Sequence, residues 1–347
     1  MLPLSVLDLS PVTTAISGGQ ALHNSLDLAR LADRLGYTRY WVAEHHNLPA
    51  IASSAPEIMI GQIAAVTGRI RVGAGGVMLP NHAPLMVAER FKVLEALFPG
   101  RIDLGIGRAP GTDPVTSYAL RHRQGLNENE DDDFLQRFQE LLLFEQKGFP
   151  DGHPFRNIRA MPADVALPPI FLLGSSGYSA QLAAMVGMGL SFAHHFSDHD
   201  PVAVMRSYRE QFRPSAAHAT PYGILALAAV CAATDADADR LAATIDLNIV
   251  RRAKGEYLPL ASPDEALAYP YSPVDRERIR VNRRRVIVGS AATVRDRIAA
   301  LAEATAANEV MITTMIHDHA ARRHSYELLA QAFELEPAQA EARAGAG

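Results

Sequence analysis

Short apolar runs alternate with stretches of helical periodicity from one end of the chain to the other. Eight runs read as strands: 4 to 9, 38 to 43, 70 to 78, 101 to 106, 169 to 173, 190 to 195, 222 to 232 and 309 to 316. Between them the spacing predicts helices over 20 to 35, 56 to 67, 84 to 97, 128 to 146, 178 to 187, 200 to 212, 236 to 253 and 291 to 306, with a closing helix over 319 to 333. Nearly continuous apolar strands separated by helices belong to a parallel sheet covered on both faces. Eight such pairs fit an α/β fold of the (β/α)8 TIM barrel type better than an open doubly wound sheet. No Pro- or Ser-rich linker divides the chain, so one barrel domain is expected over 1 to 335, with a flexible tail over 336 to 347.

Two stretches exceed ordinary loop length, 107 to 127 and 254 to 288, and long ordered loops in compact domains are commonly lids or binding loops. Both are expected as active-site lids, the second with a solvated surface insertion as its alternative.

Composition narrows the function. A net charge of -5 provides no basic field for nucleic acid, and no apolar run approaches the roughly 20 residues of a membrane span. Met1 leads directly into a strand-like run without the basic start and cleavage site of a signal peptide, so a soluble cytoplasmic protein is expected. The single Cys231 excludes an internal disulfide and sits inside an apolar run, as a buried core thiol would.

In barrels of this type the reacting groups lie where strands end. Strand two ends in Glu44-His45-His46-Asn47, and adjacent strand residues face opposite ways, so one histidine at most points into the barrel mouth. Imidazole suits proton transfer near neutral pH, although a histidine there is also an ordinary hydrogen-bonded structural residue. Gly174-Ser175-Ser176-Gly177-Tyr178-Ser179 follows strand five and opens a helix, whose N-terminal amides can hold a phosphate. Ser and Gly are equally common as plain helix caps. Arg108, at the neighbouring strand end, strengthens the phosphate reading, because a guanidinium binds such groups through two parallel hydrogen bonds. Gly73, Gly75 and Gly76 within strand three mark either a backbone that a ligand lies against or a site of tight packing against a helix.

Together these pieces resemble the bacterial luciferase-like monooxygenases, flavin-dependent barrel enzymes. The similarity runs from about residue 3 to 333 and rests on motifs in family order: Ala43-Glu44-His45-His46, Gly73 to Pro80, Gly100 to Arg108, Gly174-Ser175-Ser176 and Val288 to Val294. The resemblance implies that His45 is the catalytic histidine, a base or a stabiliser of the oxygenated flavin. It implies a non-prolyl cis peptide at Gly75-Gly76 beneath the isoalloxazine ring. It implies a phosphate site made by Arg108, Ser176 and Ser179, with Gly174, Ser175 and Gly177 completing the turn. Reduced FMN would react with dioxygen to form a peroxide adduct at C4a, protected by exclusion of water. The chain departs from the luciferases at Gly107, where they carry a reactive cysteine, so oxygenation of a small organic substrate is expected rather than light. No dinucleotide fingerprint follows a strand, so reduced flavin is expected from a separate, transiently bound flavin reductase.

Other readings stay open. F420-dependent hydride transfer uses a related barrel, and the phosphate site alone does not separate it from flavin chemistry; the Glu-His-His strand end favours FMN. A metal-dependent hydrolase is suggested by His45, His46, His82, His194, His195, His199 and Asp318 at strand ends, yet it leaves Arg108 and Ser176 without a task. A flavin-binding protein without turnover is disfavoured by histidine at 45. Asn47, Met78, His82, Tyr118 and His195 are candidate substrate-pocket residues. The helix over 56 to 67 is apolar around much of its circumference and must be covered, which points to a homodimer or to burial within the monomer.

Overall fold

In the computed structural model, which describes residues 2–121 and 133–337, the apolar runs form ten strands. These are β1 (Leu4–Asp8), β2 (Arg39–Val42), β3 (Arg71–Ala74), β4 (Val77–Met78), β5 (Ile102–Gly107), β6 (Ile170–Gly174), β7 (Gly189–Ala193), β8 (Gly223–Ala232), β9 (Val286–Ser290) and β10 (Glu309–Thr313). All pair in parallel. The order β1-β2-β3-β5-β6-β7-β8-β10 closes on itself because β10 pairs with both β8 and β1, which makes an eight-stranded barrel. β3 and β4 are two halves of one barrel strand, β3 pairing with β2 and with the start of β5, β4 with the end of β5.

The eight expected strands are the eight walls of the barrel, and the expected TIM barrel is the fold. β9 is an addition. The first half of β8 (Ile224–Ala228) pairs with β10, while its second half (Ala228–Ala232) carries β9 outside the closed ring.

The helices surround the barrel: α1 (Gly18–Leu35), α2 (Pro56–Val66), α3 (Pro84–Leu97), α4 (Pro114–Arg121), α5 (Asp133–Gln146), α6 (Gly177–Val186), α7 (Pro201–Gln211), α8 (Asp235–Ala253), α9 (Pro263–Ala268), α10 (Pro273–Asn282), α11 (Ala291–Thr305) and α12 (His319–Ala332). Their ends follow from local chemistry. Ser17 accepts the Gln20 amide ahead of α1, and Gly36, at φ 93°, ends it in the left-handed conformation that glycine tolerates. None of the described helices is long and apolar enough to cross a membrane.

Alternation along each strand divides the core in two. Leu7, Trp41, Phe171, Ile224 and Met311 fill the barrel interior. Their neighbours Val6, Tyr40, Val42, Leu225 and Ile312 pack outward against the helices.

The stretch over 254 to 288 is not one loop. It contains α9, α10 and the start of β9, and its helix starts are capped: Ser262 accepts the Glu265 amide, and Ser272 forms a capping box with Asp275. The stretch over 107 to 127 contains α4, while residues 122–132 lie outside the described part, as does most of the expected flexible tail.

At the N-terminal end of the barrel the interior is closed by charge. Arg39 donates from Nε to Glu309 at 2.7 Å and from Nη1 to Asp103 at 2.8 Å. Asp103 also accepts from Trp41 Nε1 at 3.0 Å and from Arg71 Nε at 3.0 Å, and Glu309 from Ser5 at 2.5 Å and Tyr222 at 2.7 Å.

Candidate active site at the C-terminal mouth of the barrel

β2 ends at Val42, and the next four residues turn across the mouth. The His45 amide donates to the Ser53 carbonyl at 3.0 Å, but its ring Nδ1 is buried without a hydrogen-bond partner among the described residues. Burial, and after it the charge of Arg252, lowers the His45 pKa to about 4, so the ring is neutral at physiological pH. On the far wall, at the end of β7, His195 donates Nδ1–H to the Ala226 carbonyl at 3.2 Å, the geometry the carbonyl requires of the ring. Burial likewise lowers it to about 4, offset in part by that bond and assisted by His194 and His45. The Nδ1 of His194 is also buried and unpartnered.

The peptide between Gly75 and Gly76 is cis, at the break between β3 and β4. These glycines are dictated by close approach. A Cβ on Gly75 would meet Leu7 Cδ1 at 2.7 Å, and one on Gly76 the Gly105 carbonyl oxygen at 2.8 Å. The tight packing expected as one alternative is therefore present, against neighbouring strands rather than a helix.

Beyond β5, Arg108 reaches across to α6 and lies over the Tyr178 ring, 4.4 Å from its centroid. Gly174 ends β6, and a Cβ there would collide with Ser179 Oγ at 2.2 Å. Ser176 sits at the N-cap of α6 in extended geometry, but its hydroxyl makes no capping bond. Ser175 is anchored instead through its carbonyl, which accepts from Ser197 at 2.6 Å. Gly177 opens the helix, and Ser179 is buried in its first turn. The result is a guanidinium, an uncommitted hydroxyl and the amides of a ten-residue helix N-terminus gathered on one side of the mouth.

The candidate pocket residues separate. His82 and the Met78 amide are both bound to Glu44. Asn47 spends its amide on Asp113 at 3.1 Å and Thr116 at 3.0 Å, fastening the segment before α4 to the end of β2. Tyr118 is exposed on α4. His46 turns to Glu44 at 2.9 Å.

Glu44 was not singled out by sequence reasoning. It is fully buried and accepts from His46, from His82 at 3.0 Å, from Asn81 at 3.2 Å and from the Met78 amide at 2.7 Å. Burial alone would raise its pKa, but the bonds and charge of His82, with His46 and Met78, hold it below the ordinary value. The signal in the sequence is a carboxylate inside an apolar strand end followed by two imidazoles.

Segments distant in sequence meet at the mouth. Leu260 pairs with Thr13, and Pro11 with Ile51, so the segment after α8 is stitched to the loops after β1 and β2. Thr112 donates to the His46 carbonyl at 2.9 Å, which brings the loop after β5 alongside. Among the described residues no three His, Cys, Asp or Glu side chains converge as metal ligands, so the strand-end histidines do not form the cluster that a hydrolase would need.

The sequence profile described as Luciferase-like monooxygenase matches residues 2–308. A protein of that same description from Escherichia coli is 41% identical over 325 residues, covering 93% of this chain and 95% of its own. N-acetyl-S-alkylcysteine monooxygenase of Bacillus subtilis is 34% identical over 336 residues, covering 96% of this chain and 98% of its own. Among solved structures, apo-MsnO8 superposes with a TM-score of 0.87 at 40% identity, over 97% of this chain and 100% of its own. The oxygenating constituent of 3,6-diketocamphane monooxygenase from Pseudomonas putida, solved with FMN, shares the fold at a TM-score of 0.70 and 21% identity, over 97% and 99% of the two chains.

Proposed function

The chain belongs to the luciferase-like monooxygenase family, and on that premise we propose that its barrel mouth binds reduced FMN and uses dioxygen to oxygenate a small organic substrate. The observation that carries this reading is the set of unspent groups between β5 and α6. Among the described residues Arg108 makes no ion pair, and the Ser176 hydroxyl makes no cap. Both suit the phosphate of FMN, with the α6 amides. The structure of the FMN-bound relative supports flavin as the ligand of this fold.

Reduced flavin supplies the electrons that activate dioxygen. The protein does the rest. The Gly75-Gly76 backbone, bare of side chains, offers a surface for the ring. His45, neutral and with an orphan nitrogen, is suited to hold or return a proton at the reacting end. The stitched loops exclude water, which otherwise diverts activated oxygen to hydrogen peroxide.

Titrating the pure protein with FMN and with F420 tests the cofactor, and tighter binding of F420 would replace this reading by hydride transfer. Oxygen uptake and peroxide yield with chemically reduced FMN test the reaction, and uptake that never oxygenates an organic substrate would leave a flavin-binding protein. Delivery of reduced flavin by a separate reductase belongs to the same proposal. So does a homodimer through α2 and α3, supported by Ile58 and Leu97, each 65% exposed on those helices; sedimentation as a monomer would remove it.

A further inference from the structure

The broken third strand leaves a backbone problem that Glu44 solves. Through Ala74, β3 runs beside β2, and the Gly75 amide still donates to the Val42 carbonyl at 2.8 Å. After Gly75-Gly76 the strand resumes as β4, bonded to β5 alone, because β2 has already ended. The Met78 amide, on the side that β2 has vacated, is taken by the Glu44 carboxylate at 2.7 Å. A side chain thus replaces a missing rung of the ladder.

The same carboxylate holds three side-chain donors from the turn that follows and from its own strand end: Asn81, His82 and His46. An ionised carboxylate only accepts, so each imidazole must present an Nε2–H to it. Glu44 therefore joins the glycine break, the turn after β4 and the His45-His46 strand end into one unit. Its own carbonyl lies against Gly111, where a Cβ would stand 2.8 Å from it.

We propose that Glu44 is a positioning residue for the flavin ring: its carboxylate sets the height and tilt of the Gly75-Gly76 segment and aligns the histidine-bearing wall with it. The inference rests on the FMN reading for its ligand and on the bond network for its geometry. Glutamine is the incisive replacement. It has the same shape, but it offers one acceptor oxygen, and its NH2 group confronts N–H donors.

The test compares FMN with riboflavin, which has the ring without the phosphate. Both are titrated into wild type, Glu44→Gln and Arg108→Ala by quenching of flavin fluorescence, and the visible spectra of the bound flavins are recorded. Glu44→Gln is expected to weaken FMN and riboflavin by the same factor, about tenfold or more, the scale of a lost charge-assisted bond. It is also expected to change the bound-flavin spectrum. Arg108→Ala is expected to weaken FMN and leave riboflavin unchanged. Glu44→Gln binding within twofold of wild type, or a loss confined to FMN, overturns the proposal. If Glu44→Gln fails to fold, His82→Phe removes one donor and leaves the carboxylate; a smaller loss equal for both ligands supports the proposal, and no loss overturns it. If wild type binds neither ligand, the FMN reading fails by itself, and hydrogen exchange in peptides covering residues 75 to 82 decides the role of Glu44. About tenfold faster exchange at Met78 in Glu44→Gln is expected there, and unchanged exchange overturns the role.

Discussion

The two ends of this barrel treat charge in opposite ways. At the N-terminal end, Arg39, Asp103, Glu309 and Tyr222 satisfy one another in a buried network, with Arg71 and Trp41 at its edge. At the C-terminal end, two buried imidazole nitrogens have no partner and Arg108 rests on an aromatic face. The closed end is not free of such groups, since His218 beside Tyr222 keeps a buried Nε2 without a partner among the described residues; what sets the mouth apart is that its unspent imidazoles share it with a guanidinium that makes no ion pair among the described residues. Unsatisfied buried groups are costly, and those at the mouth are the ones placed for a ligand or reaction to use.

The sharpest way to break the contrast is at the closed end. Arg39→Met leaves Asp103 and Glu309 buried without their shared cation and is expected to destabilise the fold by about 3 to 5 kcal/mol. Urea unfolding measures this, and flavin affinity of the folded fraction should not change. At the open end the expectation inverts: His45→Ala should cost little stability but about 10²- to 10⁴-fold in substrate oxygenation, with oxygen uptake diverted to peroxide. Coupled turnover that survives intact would remove His45 from the reaction.

Acid acts on the open end as well. His45 and His195 have pKa values near 4 in the folded chain, against roughly 6.5 for an unperturbed ring. The unfolded chain therefore binds protons that the folded chain refuses. Stability from these rings is complete above about pH 6.5 and is lost as pH falls toward 4, on the order of 1 to 3 kcal/mol per ring. The melting temperature of wild type should consequently drop more between pH 7 and 5 than that of a His45→Gln, His195→Gln double variant. The smallest effect is at the phosphate site, where Arg108→Ala should weaken FMN by about tenfold, the scale of one charge-assisted contact. Stability should not change, because no carboxylate is left unpaired.

The barrel was legible because its strands are apolar without interruption, as at Tyr40-Trp41-Val42 and Leu225 to Cys231. β9 was not, because Val286-Ile287-Val288 is short and adjoins a helix start, and its pairing partner is the far half of an already assigned strand. α9 and α10 were announced by Ser262-Pro263 and Ser272-Pro273, each with an acidic residue three positions after the serine, signals passed over in a stretch read as a cover. Arg108 and the Gly174 to Ser179 turn could be placed on neighbouring strands from order alone. The hub at Glu44 could not, since its donors Met78, Asn81 and His82 come from the end of a strand whose break is invisible in the apolar pattern and from the turn that follows it.

The seam of the barrel joins its first strand to its last: β10 is bound to β1 on one side and β8 on the other. During synthesis, then, no closed ring exists until the residues through Thr313 have left the ribosome, and from the emergence of β8 until then β1 and β8 both present open edges. An emerging chain of this kind holds its longest-range contacts for the end, between Leu4–Val6 and Val310–Ile312. Its exposure to mispairing is set by the time taken to translate the segment between β8 and β10, which holds α8 to α11 and β9 and adds no stave to the ring.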